Sequence, residues 1–147
     1  MPENARPAPP ATSTSIVVLT LARQVEAELN AALAPLDLTV SRLGLLGHIA
    51  AMPGASFSDL ARMSGITVQS AHAAVKVLER AGLVNDSRAR AGAASVIEVT
   101  PEGKRLMRAA MEAVSGVDER LFGPEADPIR RQVGTAIQAA FPGNPTG

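Results

Sequence analysis

The stretch Leu60–Val84, LARMSGITVQSAHAAVKVLERAGLV, decides the fold. Two helices that cross closely need a small residue on the first where the second packs, and Ala61 supplies it. The tight turn between them needs a residue tolerant of positive φ, and Gly65 stands four residues on. Ile66 is expected to plug the junction. Thr67 offers an N-cap hydroxyl to the second helix, which should run to about Ala81 and stop at Gly82. Ala71, Ala74, Val75 and Leu78 fall on its buried face at helical spacing. Val68, Gln69, Ser70, His72, Ala73 and Lys76 are left on the other. This is the pattern of a helix-turn-helix.

Working outward, Ser56-Phe57-Ser58-Asp59 offers a capping box, so a short helix is expected over Phe57–Ser64. Ser41 to Met52 reads as a helix with Leu43, Leu46, Ile49 and Ala50 on one face, stopped by Pro53-Gly54. From Ile16 to Leu36 a longer helix carries a wide apolar stripe (Val18, Leu21, Val25, Leu29, Ala32 and Leu33 among it), suited in part to a partner chain. Downstream the period changes. Leu83-Val84 starts an extended piece, Arg88–Ala94 is a small-residue loop, and Ser95–Val99 is β-branched enough for a second strand. This hairpin is the candidate wing. Thr100 as N-cap and Pro101 in the first turn open a helix expected through about Val114, with Leu106, Ala110, Met111 and Val114 as its stripe. Gly123-Pro124 breaks the chain, and Pro128–Phe141 makes a final amphipathic helix. The expected architecture is mainly α: about six helices plus a two-stranded β-hairpin wing. One domain is expected over 15–141, with its winged core at 41–100 and dimerisation helices at 15–36 and 101–141. Residues 1–14 read as a disordered tail and 142–147 as a frayed one.

Composition narrows the function. The chain has no cysteine, which removes disulfides, zinc-thiolate sites and thiol redox sensing together. Aromatics make up only 2%, three Phe with no Trp or Tyr, which argues against base-stacking readers of single-stranded nucleic acid. No apolar run is long enough for a membrane span and no secretory leader is evident, so a cytoplasmic protein without membrane association is expected. With two isolated His, scattered Ser and no Gly-rich phosphate loop, no catalytic set, metal site or cofactor is expected. Glu79/Asp86 and Asp118/Glu119 read as solvated charges. Net charge is zero, yet Arg42–Arg108 carries nine basic against five acidic residues, +4, and the remainder is −4. A basic middle between acidic ends suits a DNA-facing unit on a separate support.

The exposed face of the second helix has the chemistry for a major groove. Gln69 can bond bidentate to an adenine edge, Ser70 to bases or phosphates, and Val68 or Ala73 can meet a thymine methyl. Lys76 and Arg80 reach phosphates, which set affinity more than sequence choice. Thr67 and His72 complete the face. Arg88 or Arg90 of the wing can enter a minor groove, where negative potential attracts arginine.

Leu60–Val84, followed by Val99-Thr100-Pro101-Glu102-Gly103, resembles the MarR family of winged-helix regulators, and the likeness extends over roughly Ser15–Phe141. The resemblance implies a homodimer interlocked through its first and last helices, with two recognition helices in successive major grooves of a pseudo-palindromic operator. It also implies repression relieved by a small, often phenolic or aromatic-acid, ligand, for which Arg23 and His48 are the candidate contacts. The chain departs from the family pattern at Val68 and Ala73, where basic residues are common, and in a wing loop shorter by about one residue. These departures motivate a rival: a winged-helix module for protein interaction that has lost sequence-specific DNA binding.

Overall fold

The computed structural model describes residues 13–87 and 96–143. The expected N-terminal tail up to residue 12, the loop of the wing and the last four residues lie outside the described residues. Helix α1 spans Thr14–Leu33, and its N-cap Ser13 hydroxyl accepts from the Ile16 N–H. It ends three residues earlier than its apolar pattern suggests. Pro35 has no N–H to give and its ring crowds the preceding turn, so Ala34–Leu36 tightens into a 3-10 turn. Asp37 then takes a left-handed conformation (φ 56°) and the Leu38 N–H closes the end on the Leu33 carbonyl.

Helix α2 spans Val40–Ala51 under the Thr39 cap. The Asn30 side-chain oxygen accepts from the Val40 N–H at 2.8 Å, pinning the start of α2 to α1. Its buried residues are Leu45, Leu46 and Ile49, whereas Ala50, expected inside, is exposed. The inward stripe follows the three-and-four spacing back from Ile49, which takes in Leu45 and leaves Ala50 turned away.

Helices α3 (Phe57–Ser64) and α4 (Val68–Arg80) follow, then strands β1 (Val84–Ser87) and β2 (Val96–Val99). The strands pair antiparallel, with Val84 opposite Val99 and Ser87 opposite Val96. Helix α5 spans Pro101–Phe122, two turns beyond the expected end. Val117 and Leu121 are buried and continue the Ala110–Val114 stripe, so the helix keeps its packing until Gly123. Met111, expected on that stripe, is 56% exposed because it lies a full residue rotation off it. Helix α6 spans Pro128–Ala140 and buries none of its residues within this chain.

The core forms where these elements converge. Leu33 of α1, Leu46 of α2, Leu60 of α3, Val75 and Leu78 of α4 and Val84 of β1 are essentially inaccessible, with Ile97 of β2 and Ala110 of α5 beside them. Helix α4 packs on α3 and β1 and sends Val75 and Leu78 into this core, which leaves its opposite face free. Among the described residues no helix is long and apolar enough to cross a membrane.

Candidate nucleic-acid interface

The interface begins with a rigid entry into α3. The Ser56 hydroxyl accepts from the Asp59 N–H and the Asp59 carboxylate accepts from the Ser56 N–H, each at 3.0 Å. These bonds, the Ser56 backbone first, together with the neighbouring Arg62, hold the Asp59 carboxyl below its ordinary range. At the far end Gly65 takes φ +67°, and the Ile66 N–H bonds back to the Ala61 carbonyl at 3.0 Å. This closes the last turn and reverses the chain, a backbone shape glycine adopts without steric cost. Ala61 is buried, on a helix that packs against α4. Ile66 is not the expected plug. It is 40% exposed, because the space beneath it is not filled but forms part of a cavity of about 270 Å³.

Thr67 caps α4 as expected, accepting from the Ser70 N–H at 3.0 Å. Its hydroxyl donates in turn to Ser70 Oγ at 2.8 Å. Both hydroxyls are thus tied together at the helix start, and the Ser70 proton is left to donate outward. Val68, Gln69, Ser70, His72, Ala73, Lys76 and Arg80 are all exposed, while Ala71, Val75 and Leu78 are buried behind them. Lys76 and Arg80 make no ion pair among the described residues. Arg88 and Arg90 lie outside the described residues.

Two features of this region escaped the sequence reading. The first is a stack between the rings of Phe57 and His72, centroids 3.6 Å apart and planes 23° apart. Phe57 read only as the opening residue of a helix, and nothing in a linear pattern pairs positions fifteen apart. The second is the base of the wing. The Thr100 N–H bonds the Leu83 carbonyl at 2.9 Å, and the Thr100 hydroxyl donates to the Gly82 carbonyl at 2.7 Å while accepting from the Gly103 N–H. Gly103 lies so close beneath Leu83 that an added Cβ would overlap its carbonyl oxygen. The end of α4, the hairpin and the start of α5 are therefore one fastened unit. Within the hairpin Asp86, which read as a solvated charge, is half-buried, with a buried oxygen that has no hydrogen bond among the described residues.

The two candidate effector contacts are not brought together in one chain. His48 lines the 270 Å³ cavity with Arg42, Leu45, Met63, Ile66 and Ala74, at the elbow of the two helices. Arg23 is exposed on α1 and takes no part in it. A larger cavity of about 580 Å³ lies between α5 and α6, lined by Asp118, Phe122, Ile137 and Phe141. Asp118, which also read as solvated, is half-buried there, and desolvation pushes its carboxyl pKa up.

The family model of the MarR family matches residues 36–92. The HTH-type transcriptional repressor Rv2887 of Mycobacterium tuberculosis (strain ATCC 25618 / H37Rv) is 30% identical over 106 residues, 71% of this chain and 76% of its own length. The chain belongs to the MarR family. Solved structures share the fold over most of the chain. The repressor CouR bound to a 23-mer DNA duplex superposes with a TM-score of 0.72 at 19% identity, covering 87% of this chain and 91% of its own. The M. tuberculosis protein Rv2887 in complex with DNA gives 0.70 at 24%, covering 88% and 98%. CouR of Rhodococcus jostii RHA1 bound to p-coumaroyl-CoA gives 0.66 at 25%, covering 87% and 92%. Within the MarR fold, the Thr67–Arg80 segment is the second helix of the helix-turn-helix, the element that in this architecture enters the major groove.

Proposed function

We propose that this chain is a sequence-specific, double-stranded-DNA-binding transcriptional regulator, a repressor released by a small-molecule effector. The observation that carries the reading is the division of α4. One face is locked into the core, and the other presents Gln69, Ser70, His72 and Lys76 to solvent with donors to spare. Relatives solved with DNA support it. The proposed contacts are Thr67, Val68, Gln69, Ser70, His72, Ala73, Lys76 and Arg80 of α4, with Arg88 and Arg90 of the wing.

A homodimer belongs to the same proposal. Ile16, Val17, Val18 and Leu19 of α1 are each more than half exposed, as are Ile129 and Ile137 of α6 and Phe141 after it, so among the described residues α1 and α6 both present exposed apolar surface. Joining two copies through α1, α6 and the end of α5 sets two recognition helices about 34 Å apart, one turn of DNA. The domain limits at 15–141, a cytoplasmic location and the absence of enzymatic activity complete the proposal.

Effector release is supported by a relative solved with p-coumaroyl-CoA and by Rv2887 solved with salicylic acid. An effector need only favour one separation of the recognition helices over another. His48 and Arg23 remain candidate contacts, and since one chain does not unite them, any joint site spans two copies.

Fluorescence anisotropy on the chain's own promoter region, at two salt concentrations, tests the reading. Salt-sensitive binding that weakens on adding salicylate is the expected result. Absence of salt-sensitive binding overturns it and returns the protein-interaction alternative.

A further inference from the structure

We infer that Phe57 is a positioning residue for DNA recognition, holding the His72 imidazole flat so that DNA meets its edge. The inference rests on the DNA-binding reading above.

Phe57 is a fixed platform. It occupies the first position of α3, directly after the Ser56 N-cap, where the reciprocal Ser56–Asp59 bonds set its backbone. Its ring is half-buried and packs against the core. Of the three Phe in the chain, this one alone lies in the helix-turn-helix, and apolar volume by itself would be served there by leucine, as at Leu60.

His72 is the opposite case. It is exposed on the reading face of α4, one turn before Lys76. A free side chain there would sample several rotamers, and ordering it on DNA would cost binding free energy. The stack at 3.6 Å and 23° settles the ring before DNA arrives. It also uses up one face of the imidazole. Both ring nitrogens lie on the ring edge, so they stay available to a base edge or a phosphate oxygen. Neither makes a hydrogen bond among the described residues. The stack therefore selects which part of His72 the DNA encounters, and it fixes that choice from a different helix.

The test is a double-mutant cycle read by anisotropy at fixed salt. The probes are a duplex selected by the wild-type protein from a random pool and a scrambled duplex of equal length. Phe57→Leu keeps the volume and removes the stack, and should weaken binding to the selected duplex about 3- to 10-fold. Phe57→Tyr restores the stack and should recover affinity to within about twofold. In a His72→Ala background, Phe57→Leu should change affinity by less than about twofold. Loss confined to the selected duplex assigns the His72 edge to a base, and equal loss on both assigns it to phosphate. The second readout is the ring-proton chemical shifts of His72 in the free protein. Ring current moves them upfield in the wild type and in Phe57→Tyr, and releases them in Phe57→Leu. Additive effects in the cycle, or wild-type His72 protons without an upfield shift, overturn the inference while leaving DNA binding intact. If wild-type protein enriches no duplex from the pool, both this inference and the DNA-binding reading fall. Should Phe57→Leu not fold, the wild-type shifts and the Phe57→Tyr affinity still decide the matter.

Discussion

Replacing Gly103 by alanine sets two physical effects against each other. Gly103 is the third residue of α5, and alanine is a better helix former there by about 1 kcal/mol. On helix propensity alone, Gly103→Ala stabilises. The surroundings reverse the sign. The new Cβ would overlap the Leu83 carbonyl oxygen, stand 2.7 Å from Val99 Cγ1 and 3.1 Å from the Leu83 carbonyl carbon. Neither backbone can retreat freely. The Leu83 carbonyl accepts from the Thr100 N–H at 2.9 Å, and Val84, next along, is locked opposite Val99 in the hairpin. Overpacking of this kind costs about 1–3 kcal/mol, and a weakened backbone bond adds about 1. The net expectation is a destabilisation of about 1–3 kcal/mol, or a melting temperature lower by roughly 3–10 °C for a chain of this size. The matched control is Gly44→Ala in α2, where an added Cβ meets nothing within 4 Å. That change should stabilise by up to about 1 kcal/mol. Chemical denaturation of both variants beside the wild type, at one protein concentration because dimerisation couples to folding, measures the two signs. If Gly103→Ala matches or exceeds the wild type, the account of the wing base is wrong.

Three further outcomes are expected. Lys76→Ala should weaken binding to selected and scrambled duplexes alike and lower the slope of log K against log salt by about 1, the signature of a phosphate contact; a loss confined to the selected duplex argues for a base contact instead. Thr100→Val keeps the shape but removes both the cap to Gly103 and the bond to Gly82, so it should cost about 1–2 kcal/mol in denaturant melts, and Thr100→Ser should recover most of it. The Asp59 carboxyl is held below its usual range in the folded chain, so its share of stability is present above the ordinary carboxylate pKa and fades as pH falls through the lower folded value. Asp59→Asn should therefore reduce stability at neutral pH and converge with the wild type in strong acid; a pH-independent difference between the two contradicts this.

Most of the fold was legible in the sequence because its determinants are local. The Ser56–Asp59 box, the left-handed Gly65, the Thr67 cap and the buried Ala71–Val75–Leu78 stripe each act within a few residues, and each stands where the pattern places it. Errors arose where a neighbouring element decides burial. Whether Ile66, Met111 or Ala50 faces inward depends on what packs opposite, and the long reach of α5 to Phe122 depends on α1 and α6 covering its last turns.

The candidate interface divides in the same way. The sequence by itself determined the helix-turn-helix, the residues on its outward face and the strands that frame the wing, since helical and strand periods follow from backbone geometry. It also marked Val99-Thr100-Pro101-Glu102-Gly103 as a signature without revealing its purpose. Only the tertiary structure decided that Gly103 is glycine because the Leu83 carbonyl lies against it, and that Thr100 ties the end of α4 to the start of α5. It likewise placed His72 on Phe57 and separated His48 from Arg23. Those relations are distances between residues far apart along the chain, and such distances exist only once the helices have packed.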